Sequence, residues 1–312
     1  MFNMKILRSV KDFEQQNKFL AVTLGNFDGV HLGHQQLLRR AVAAAQAVDG
    51  LSLAFTFAPH PLAVLSEQQP QLLQSPAEKR LAIAGLGLNY LLELPFTKDL
   101  AQMSPADFSA QFLAAAGLAA DLLIVGFNFS FGAKGVGNAQ TLCILGEQHG
   151  YNVEVLPPYL QNGEVVSSSW LRKLIADGQI ARANSLLGRE YALSGEVVHG
   201  RQLGRQFFGF PTANILADKP MLLPAYGVYA AWAECGGATW PAVVNVGLRP
   251  TIAENIVPTI ETHCLGADCD FYAQNMRVRF VQEIRPERKF ASMELLREQI
   301  AVDSKKAAKI LQ

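Results

Sequence analysis

The chain lacks a net charge, because its 27 lysines and arginines balance 27 aspartates and glutamates among 312 residues. Proteins that bind nucleic acid need clustered cations, so this balance argues against a nucleic-acid partner. No apolar run approaches the ~20 residues of a membrane span, and no signal-peptide core precedes the first apolar strand. We therefore expect a cytoplasmic protein with neither nucleic acid nor a membrane as its partner.

Cysteine is also scarce, with four residues in total: Cys143, Cys235, Cys264 and Cys269. None of them forms a CxxC pair, so we expect reduced thiols and no disulfide or cysteine metal site. The chain has no internal repeat and no low-complexity segment. Its length suits two domains, each able to bury its own core.

Strand and helix patterns alternate in the first half of the chain. The strand-like runs are Phe19–Leu24, Leu51–Phe57, Tyr90–Leu94, Leu122–Gly126 and Asn152–Leu156, and the helix-like runs are His34–Val48, Pro76–Leu86, Pro105–Ala116 and Asn138–His149. This alternation predicts a parallel sheet covered by helices, a Rossmann-like α/β domain. Ligands of such sheets bind at the carboxyl ends of the strands.

The pattern changes after two short predicted helices, Ser169–Asp177 and Ile180–Leu187. The strand-like runs that follow are Tyr191–His199, Gly227–Ala233, Pro241–Val246, Thr259–Leu265 and Met276–Ile284, and a charged helix, Ser292–Ile310, closes the chain. Strands followed by one helix predict a small antiparallel barrel or sandwich with a covering helix. We place the domain boundary between residues 187 and 188, which gives domains 1–187 and 188–312.

The most informative stretch is Thr23-Leu-Gly-Asn-Phe-Asp-Gly-Val-His-Leu-Gly-His34, where a strand runs through a glycine-rich turn into a helix. Gly25 and Gly33 allow tight turns and the close approach of a phosphate. A helix N-terminus offers unpaired N–H groups to an anion. His31 and His34, one turn apart, can donate hydrogen bonds to phosphoryl oxygens. This stretch therefore predicts a site for a nucleoside triphosphate.

Three other segments of the first domain allow two interpretations each. The serines of Ser167-Ser-Ser-Trp-Leu-Arg172 suit helix capping, and Arg172 also suits a phosphate contact. His60, in Thr56-Phe-Ala-Pro-His-Pro61, either shapes a rigid loop or lines a ligand. The run Gly126-Phe-Asn-Phe-Ser-Phe-Gly132 is either a buried strand edge or a stacking surface for a flat aromatic ligand, with Asn128 as its polar contact.

The second domain has its own polar cluster. Glycine-rich segments, which contain Gly200 and Arg205, lead into Gly209-Phe-Pro-Thr-Ala-Asn214. Thr212 and Asn214 offer neutral oxygens that suit Mg²⁺ carrying a phosphate. Glu261 lies in a strand-like run among apolar neighbours, so it is either a general base in a pocket or a solvated glutamate.

Together these segments resemble the bacterial bifunctional riboflavin kinase/FAD synthetase family over nearly the whole chain. The shared motifs are GNFDGVHLGH, FxPHP, GxNFxFG and SSxxLR in the first half, and GxVVxGxxxGR, GFPTAN, NxGxRPT and the Glu261 region in the second. The resemblance implies a nucleotidyltransferase domain that joins FMN to the AMP part of ATP. It also implies a six-stranded barrel that phosphorylates riboflavin with ATP and Mg²⁺.

The resemblance also assigns roles to particular residues. The catalytic set is His31, His34, Arg172 and Glu261. The set that binds ATP or its phosphates is Gly25, Phe27, Gly33, Ser168, Ser169, Gly200, Arg205, Thr212 and Asn214, of which Thr212 and Asn214 hold Mg²⁺. The flavin set is Asp28, His60, Asn128 and Phe129. Riboflavin, FMN and ATP are the expected partners, and the oligomeric state stays open, with a monomer allowed.

Three departures from the family pattern keep alternatives open. The segment between Arg205 and Gly209 is one residue longer than usual, Lys134 stands near a position that usually holds arginine, and Asn89 replaces a common aspartate. The alternatives are a chain in which only one domain is active and a non-catalytic protein that binds flavin and nucleotide.

Overall fold

The computed structural model describes residues 4–14, 16–66, 70–198, 212–217, 221–250 and 256–312, with the backbone alone for 212, 217, 249, 250 and 256–258. The chain forms two compact units, one of residues 1–70 and 75–167 and one of residues 71–74 and 168–312. The structural division therefore precedes the two helices that we placed before residue 188. The boundary of the functional domains at 187/188 stays a prediction.

The first unit is built on a six-stranded sheet. The strands of the sheet are β1 (Lys5–Leu7), β2 (Leu20–Leu24), β3 (Leu51–Ala58), β4 (Tyr90–Pro95), β5 (Leu122–Gly126) and β8 (Asn152–Leu156). Two short strand pairs lie outside it: β6 (Ser130–Phe131) with β7 (Gly137–Asn138), and β9 (Leu160–Gln161) with β10 (Glu164–Val165). The helices of the unit are α1 (Leu32–Gln46), α2 (Pro61–Leu65), α3 (Pro76–Ala84), α4 (Lys98–Gln102), α5 (Pro105–Phe108) and α6 (Ala139–His149). The sheet order is β1-β4-β3-β2-β5-β8 and every pairing is parallel, which confirms the predicted α/β fold.

Apolar side chains cover both faces of this sheet. Along β2, Leu20 and Val22 belong to one core cluster and Ala21 to the other. Helix α1 packs on the second cluster through Leu38 and its neighbours. After β2 the chain continues to β3 on one side of the sheet, and after β5 it continues to β8 on the opposite side. The carboxyl ends of β2 and β5 therefore form the switch point at which such sheets bind ligands.

One predicted helix is interrupted. We expected a single helix over Pro105–Ala116, but α5 ends at Phe108 and a wider π-helical turn follows over Ser109–Leu113. In this turn the buried Ser109 hydroxyl lies 2.6 Å from that of Tyr151. The backbone then becomes extended at Ala114, so the regular helix cannot continue.

The second unit is a closed antiparallel barrel, accompanied by three helices among the residues that the structure describes. Its strands are β11 (Tyr191–Val198), β12 (Thr212–Ala217), β13 (Gly227–Cys235), β14 (Ala238–Pro250), β15 (Ile256–Cys264) and β16 (Asn275–Pro286), in the order β11-β12-β15-β14-β13-β16. Its helices are α7 (Ser168–Ala176), α8 (Ile180–Leu187) and α9 (Met293–Ile310). The barrel is confirmed over the sandwich, and β12 is a strand that the sequence pattern alone did not indicate.

Helix α9 covers the outside of the barrel. It begins after Ser292, whose hydroxyl accepts a hydrogen bond from the N–H of Leu295. Ala307 packs against Val228 and Val243 of β13 and β14. In the part of the chain that the structure describes, no helix is long and apolar enough to cross a membrane. All four cysteines are free thiols, as expected.

Candidate active sites

The turn after β2 brings His31 and His34 into contact. His31 caps α1, and its Nδ1 accepts a hydrogen bond of 3.2 Å from the backbone N–H of His34. The two imidazole rings stack with centroids 3.6 Å apart. His31 is buried and His34 half-buried. Because Nδ1 of His31 is the acceptor, the proton of its neutral ring lies on Nε2, which leaves this atom as a donor.

Rings fill the space beside two glycines of this turn. A Cβ on Gly33 would lie 3.2 Å from Cε1 and Nδ1 of His31, and a Cβ on Gly25 would lie 2.9 Å from Cε1 of Phe27. Phe27 is fully buried and meets His34 edge-on, with centroids 5.4 Å apart. The side chain of Phe27 thus packs against His34 within the turn.

A lysine that the sequence analysis missed lies against the same turn. Lys79, on the first turns of α3, donates to the Asn26 carbonyl oxygen at 3.4 Å and to Thr56 Oγ1 at 3.3 Å. Thr56 Oγ1 in turn donates to the same carbonyl oxygen at 3.1 Å. Burial lowers the pKa of Lys79 below the usual lysine value. The nearby carboxylates, including the buried Asp28, oppose this shift and raise the pKa.

The neighbouring cation, Arg80, has a different environment. Its Nη2 lies 2.9 Å from Oε2 of the buried Glu93, and Arg8 approaches the same carboxylate at 2.6 Å. Two arginines therefore share one carboxylate at the end of β4. Arg80 is neutralised within the fold, whereas Lys79 hydrogen-bonds only to neutral oxygens among the described residues.

Of the predicted flavin residues, Asp28 lies in the turn after β2, and the other three lie on loops at the carboxyl ends of β3 and β5. Asn128 is exposed, and its Oδ1 lies 3.5 Å from the position of a Cβ on Gly126. Phe129 is half-buried and stacks on the buried Phe131, with centroids 5.5 Å apart. His60 caps α2 by accepting from the N–H of Leu62 at 3.2 Å. His60 thus shapes its loop and remains half-exposed.

The predicted second phosphate segment belongs to the other unit. Ser168 and Ser169 form the first residues of α7. Arg172 Nε donates to the carbonyl oxygen of Gln71 at 3.1 Å, a contact within the second unit. The histidine turn and this segment therefore belong to different units, and the roles of Ser168, Ser169 and Arg172 stay predictions.

In the barrel, Glu261 of β15 lies between two asparagines. The strand register pairs it with Asn214 of β12 on one side and with Asn245 of β14 on the other. Directly paired residues of neighbouring strands share a face of the sheet, so one carboxyl group and two amides form a row. The sequence analysis named Asn245 as the start of the NxGxRPT motif, and the strand register adds that it is paired with Glu261.

The side-chain oxygen of Asn214 suits a bound cation. The Asn214 side chain is buried, and Oδ1 accepts no hydrogen bond from the residues that the structure describes. A buried acceptor without a partner costs about 1–3 kcal/mol, and an amide oxygen is a ligand that suits Mg²⁺. Thr212 lies two residues before Asn214 on β12, and the structure describes only the backbone of Thr212. Gly200 and Arg205 lie outside the described residues.

The two folds define the class of the chain: an α/β unit of the nucleotidyltransferase type followed by a closed barrel of the flavokinase type. A family model described as FAD synthetase matches residues 13–170, and one described as riboflavin kinase matches residues 187–311. The chain belongs to the family of bifunctional riboflavin kinase/FMN adenylyltransferases.

Two relatives agree with this assignment, and a solved structure shares the fold. The chain is 34% identical over 300 residues to the bifunctional riboflavin kinase/FMN adenylyltransferase of Pseudomonas fluorescens, covering 96% of both chains. It is 36% identical over 301 residues to the Bacillus subtilis (strain 168) protein of the same name, covering 94% of this chain and 93% of the other. A crystal structure described as a macrolide-efflux protein from Streptococcus pneumoniae has a TM-score of 0.88 at 28% identity, over 98% of this chain and 99% of that one.

Proposed function

We propose that this chain is a bifunctional enzyme of flavin cofactor synthesis. It phosphorylates riboflavin to FMN with one ATP and then transfers the AMP part of a second ATP to FMN, which releases pyrophosphate and forms FAD. The observation that carries the proposal is that each unit has its own set of reactive groups. The α/β unit has the stacked pair of His31 and His34, and the barrel has Glu261 between two asparagines.

For the adenylyl transfer, the FMN phosphate attacks the α-phosphorus of ATP in line, and pyrophosphate leaves from the opposite side. Positioning and charge stabilisation account for this chemistry without a covalent enzyme intermediate. We assign His31 Nε2–H as a donor to a phosphoryl oxygen, because Nδ1 is engaged by the N–H of His34. His34, stacked on His31, supplies a second donor beside the start of α1.

The remaining predicted residues of this half-reaction keep their roles as part of the proposal. Gly25, Phe27 and Gly33 shape the turn that receives ATP. The flavin side comprises Asp28, His60, Asn128 and Phe129. Ser168, Ser169 and Arg172 bind phosphate oxygens, as helix-capping hydroxyls and an arginine can do.

For the kinase reaction, Glu261 takes the proton of the riboflavin 5′-hydroxyl as this oxygen attacks the γ-phosphorus and ADP leaves. Asn214 Oδ1 and Thr212 are assigned to Mg²⁺ bound to ATP, and the buried acceptor on Asn214 supports this assignment. When bound, Mg²⁺ neutralises phosphate charge and orients the phosphates. Asn245, paired with Glu261 opposite Asn214, helps to hold the carboxylate in place. Gly200 and Arg205 are assigned to ATP phosphates.

The test is a time course with riboflavin, ATP and Mg²⁺ in which FMN and FAD are resolved. Wild-type protein should form FMN first and FAD later. Glu261→Gln should lower FMN formation by about 10²- to 10⁴-fold and leave the conversion of added FMN to FAD intact. The double variant His31→Ala, His34→Ala should show the opposite pattern. Absence of both products, or loss of both steps in either folded variant, would contradict the proposal.

A further inference from the structure

In the α/β unit, the side chain of Lys79 lies against the histidine-containing turn. Its Nζ donates to the carbonyl oxygen of Asn26 at 3.4 Å, and Asn26 lies one residue before the buried Phe27. The second acceptor, Thr56 Oγ1, belongs to the carboxyl half of β3. Lys79 is thus held where two neighbouring parallel strands end, the edge at which such sheets bind ligands.

The charge of Lys79 is not neutralised by direct contact. Both hydrogen bonds are long and end on neutral oxygens. Within the described ranges no carboxylate oxygen lies within 4 Å of Nζ, whereas Arg80 next to it makes a close ion pair with Glu93. An ammonium group has three donors, and the two neutral acceptors leave one of them for an anion.

Burial makes this arrangement costly unless an anion completes it. Desolvation lowers the pKa of Lys79, and attraction to Glu93 and Asp28 only partly opposes it. A cation that is half-buried and has no adjacent carboxylate is stabilised by an anion that arrives from solvent. A phosphate oxygen provides such an anion and forms a charge-assisted hydrogen bond.

We propose that Lys79 binds a phosphoryl oxygen of a substrate during adenylyl transfer, either the phosphate of FMN or a phosphate of ATP. This inference rests on the proposed function of the α/β unit. Lys79 is then a further binding residue of that reaction, beside His31 and His34. The contacts with Asn26 and Thr56 hold the ammonium in position for it.

The experiment compares four variants of the full-length enzyme with the wild type. Lys79→Met removes the charge, and Lys79→Arg keeps it. Thr56→Val removes an internal partner of Lys79 without touching the charge. Lys18→Met removes an exposed lysine paired with Asp49 before the amino end of β2, and so matches the change in charge. For each protein, kcat and KM are measured for FMN and for ATP in the conversion of FMN to FAD, together with the kinase step and the melting temperature.

Lys79→Met should lower kcat/KM for FAD formation by about 10- to 100-fold, the effect of losing one hydrogen bond to a charged group. Lys79→Arg should restore most of the loss. Thr56→Val should cost less than about fivefold, because the hydrogen bond that it removes is long and the charge and its contact with Asn26 remain, and Lys18→Met should have no effect. The kinase step should be unchanged throughout. A rise in KM for FMN alone assigns the contact to the FMN phosphate, and a rise for ATP alone assigns it to ATP. A fall in kcat alone assigns it to an oxygen whose charge grows in the transition state.

Two results would overturn the inference. One is a Lys79→Met enzyme that forms FAD as well as the Lys18→Met enzyme does. The other is an equal loss of kcat/KM for FAD formation in Lys79→Met, Lys79→Arg and Thr56→Val, together with a lowered melting temperature. That result would indicate that Lys79 has only a structural role. A wild-type protein that makes no FAD would instead overturn the proposed function itself, and the inference with it.

Discussion

Replacing Gly33 by alanine should separate the stability of the α/β unit from its activity. The new Cβ would lie 3.2 Å from Cε1 and Nδ1 of His31, closer than ordinary van der Waals contact. The His31 ring must therefore shift by a few tenths of an ångström. This shift weakens a cap hydrogen bond that is already 3.2 Å long and disturbs the stack on His34.

The two effects on stability nearly cancel. A weakened N-cap costs about 1 kcal/mol, whereas alanine is favoured over glycine inside a helix by about 1 kcal/mol. The free energy of unfolding should thus change by less than about 1 kcal/mol. Activity has no such compensation, since misplacing a catalytic group by ~1 Å can cost about 100-fold. Because the His31 ring shifts by only a few tenths of an ångström, the rate of FAD formation from FMN should fall by about 2- to 10-fold.

The assay is steady-state conversion of FMN to FAD, with the kinase step and a thermal melt measured on the same protein. Gly85→Ala is the matched control. Gly85 ends α3 with φ of −62°, and a Cβ there would lie 3.5 Å from its nearest neighbour, an ordinary contact. This control should keep both activities. Full FAD formation by folded Gly33→Ala would refute the idea that the position of the His31 ring limits adenylyl transfer.

Three further predictions concern the barrel and the lysine. Asp303→Asn should destabilise the second unit by about 3–5 kcal/mol, because its buried carboxylate pairs with Arg285 at 2.9 Å; a chemical denaturation curve measures this. Asn214→Ala should raise the Mg²⁺ concentration for half-maximal kinase activity about tenfold, the equivalent of one lost ligand contact, and leave FAD formation unaffected. Because the pKa of Lys79 is lowered, its ammonium loses its proton at a lower pH than an ordinary lysine does. The phosphate contact is present below that pKa and disappears above it. As the pH is raised, kcat/KM for FAD formation should therefore fall at a lower pH than the kinase rate does. Lys79→Arg should move this fall to higher pH.

Local pattern was sufficient for the elements of the sheet. Strand β5 was predicted with its observed bounds, Leu122–Gly126, because it is an apolar run bounded by an acidic residue and followed by a glycine turn. The start of α3 at Pro76 followed from the cap at Ser75. Strand β12, Thr212–Ala217, was missed because six residues after a glycine-rich stretch carry little periodicity. Its pairing with β11 and β15 supplies what the local sequence does not show.

The contacts that were missed at the sites join distant segments of the chain. Lys79 meets Asn26 across 53 positions of sequence, and nothing in the helical run around it distinguishes it from a solvated surface lysine. Asn245 joins Glu261 only through the register of β14 and β15. For Asn89, the structure explains a departure from the family pattern. Its Oδ1 accepts from both N and Oγ of Ser52 at 2.9 Å, so an amide oxygen fills the acceptor position that an aspartate would occupy.

The glycines of the histidine turn have a packing role in addition to the one that the sequence analysis predicted. The sequence analysis took Gly25 and Gly33 to admit a phosphate to the backbone. That interpretation stays a prediction, and the structure adds that a Cβ on Gly25 would lie 2.9 Å from the Phe27 ring and one on Gly33 would lie 3.2 Å from the His31 ring. The spacing of two histidines around a glycine is therefore a packing requirement. The His31 ring can cap α1 and stack on His34 only because residue 33 has no side chain. Gly33 thus affects the orientation of the His31 imidazole, and for this reason the effect of Gly33→Ala should appear in the rate of FAD formation and hardly at all in the melting temperature.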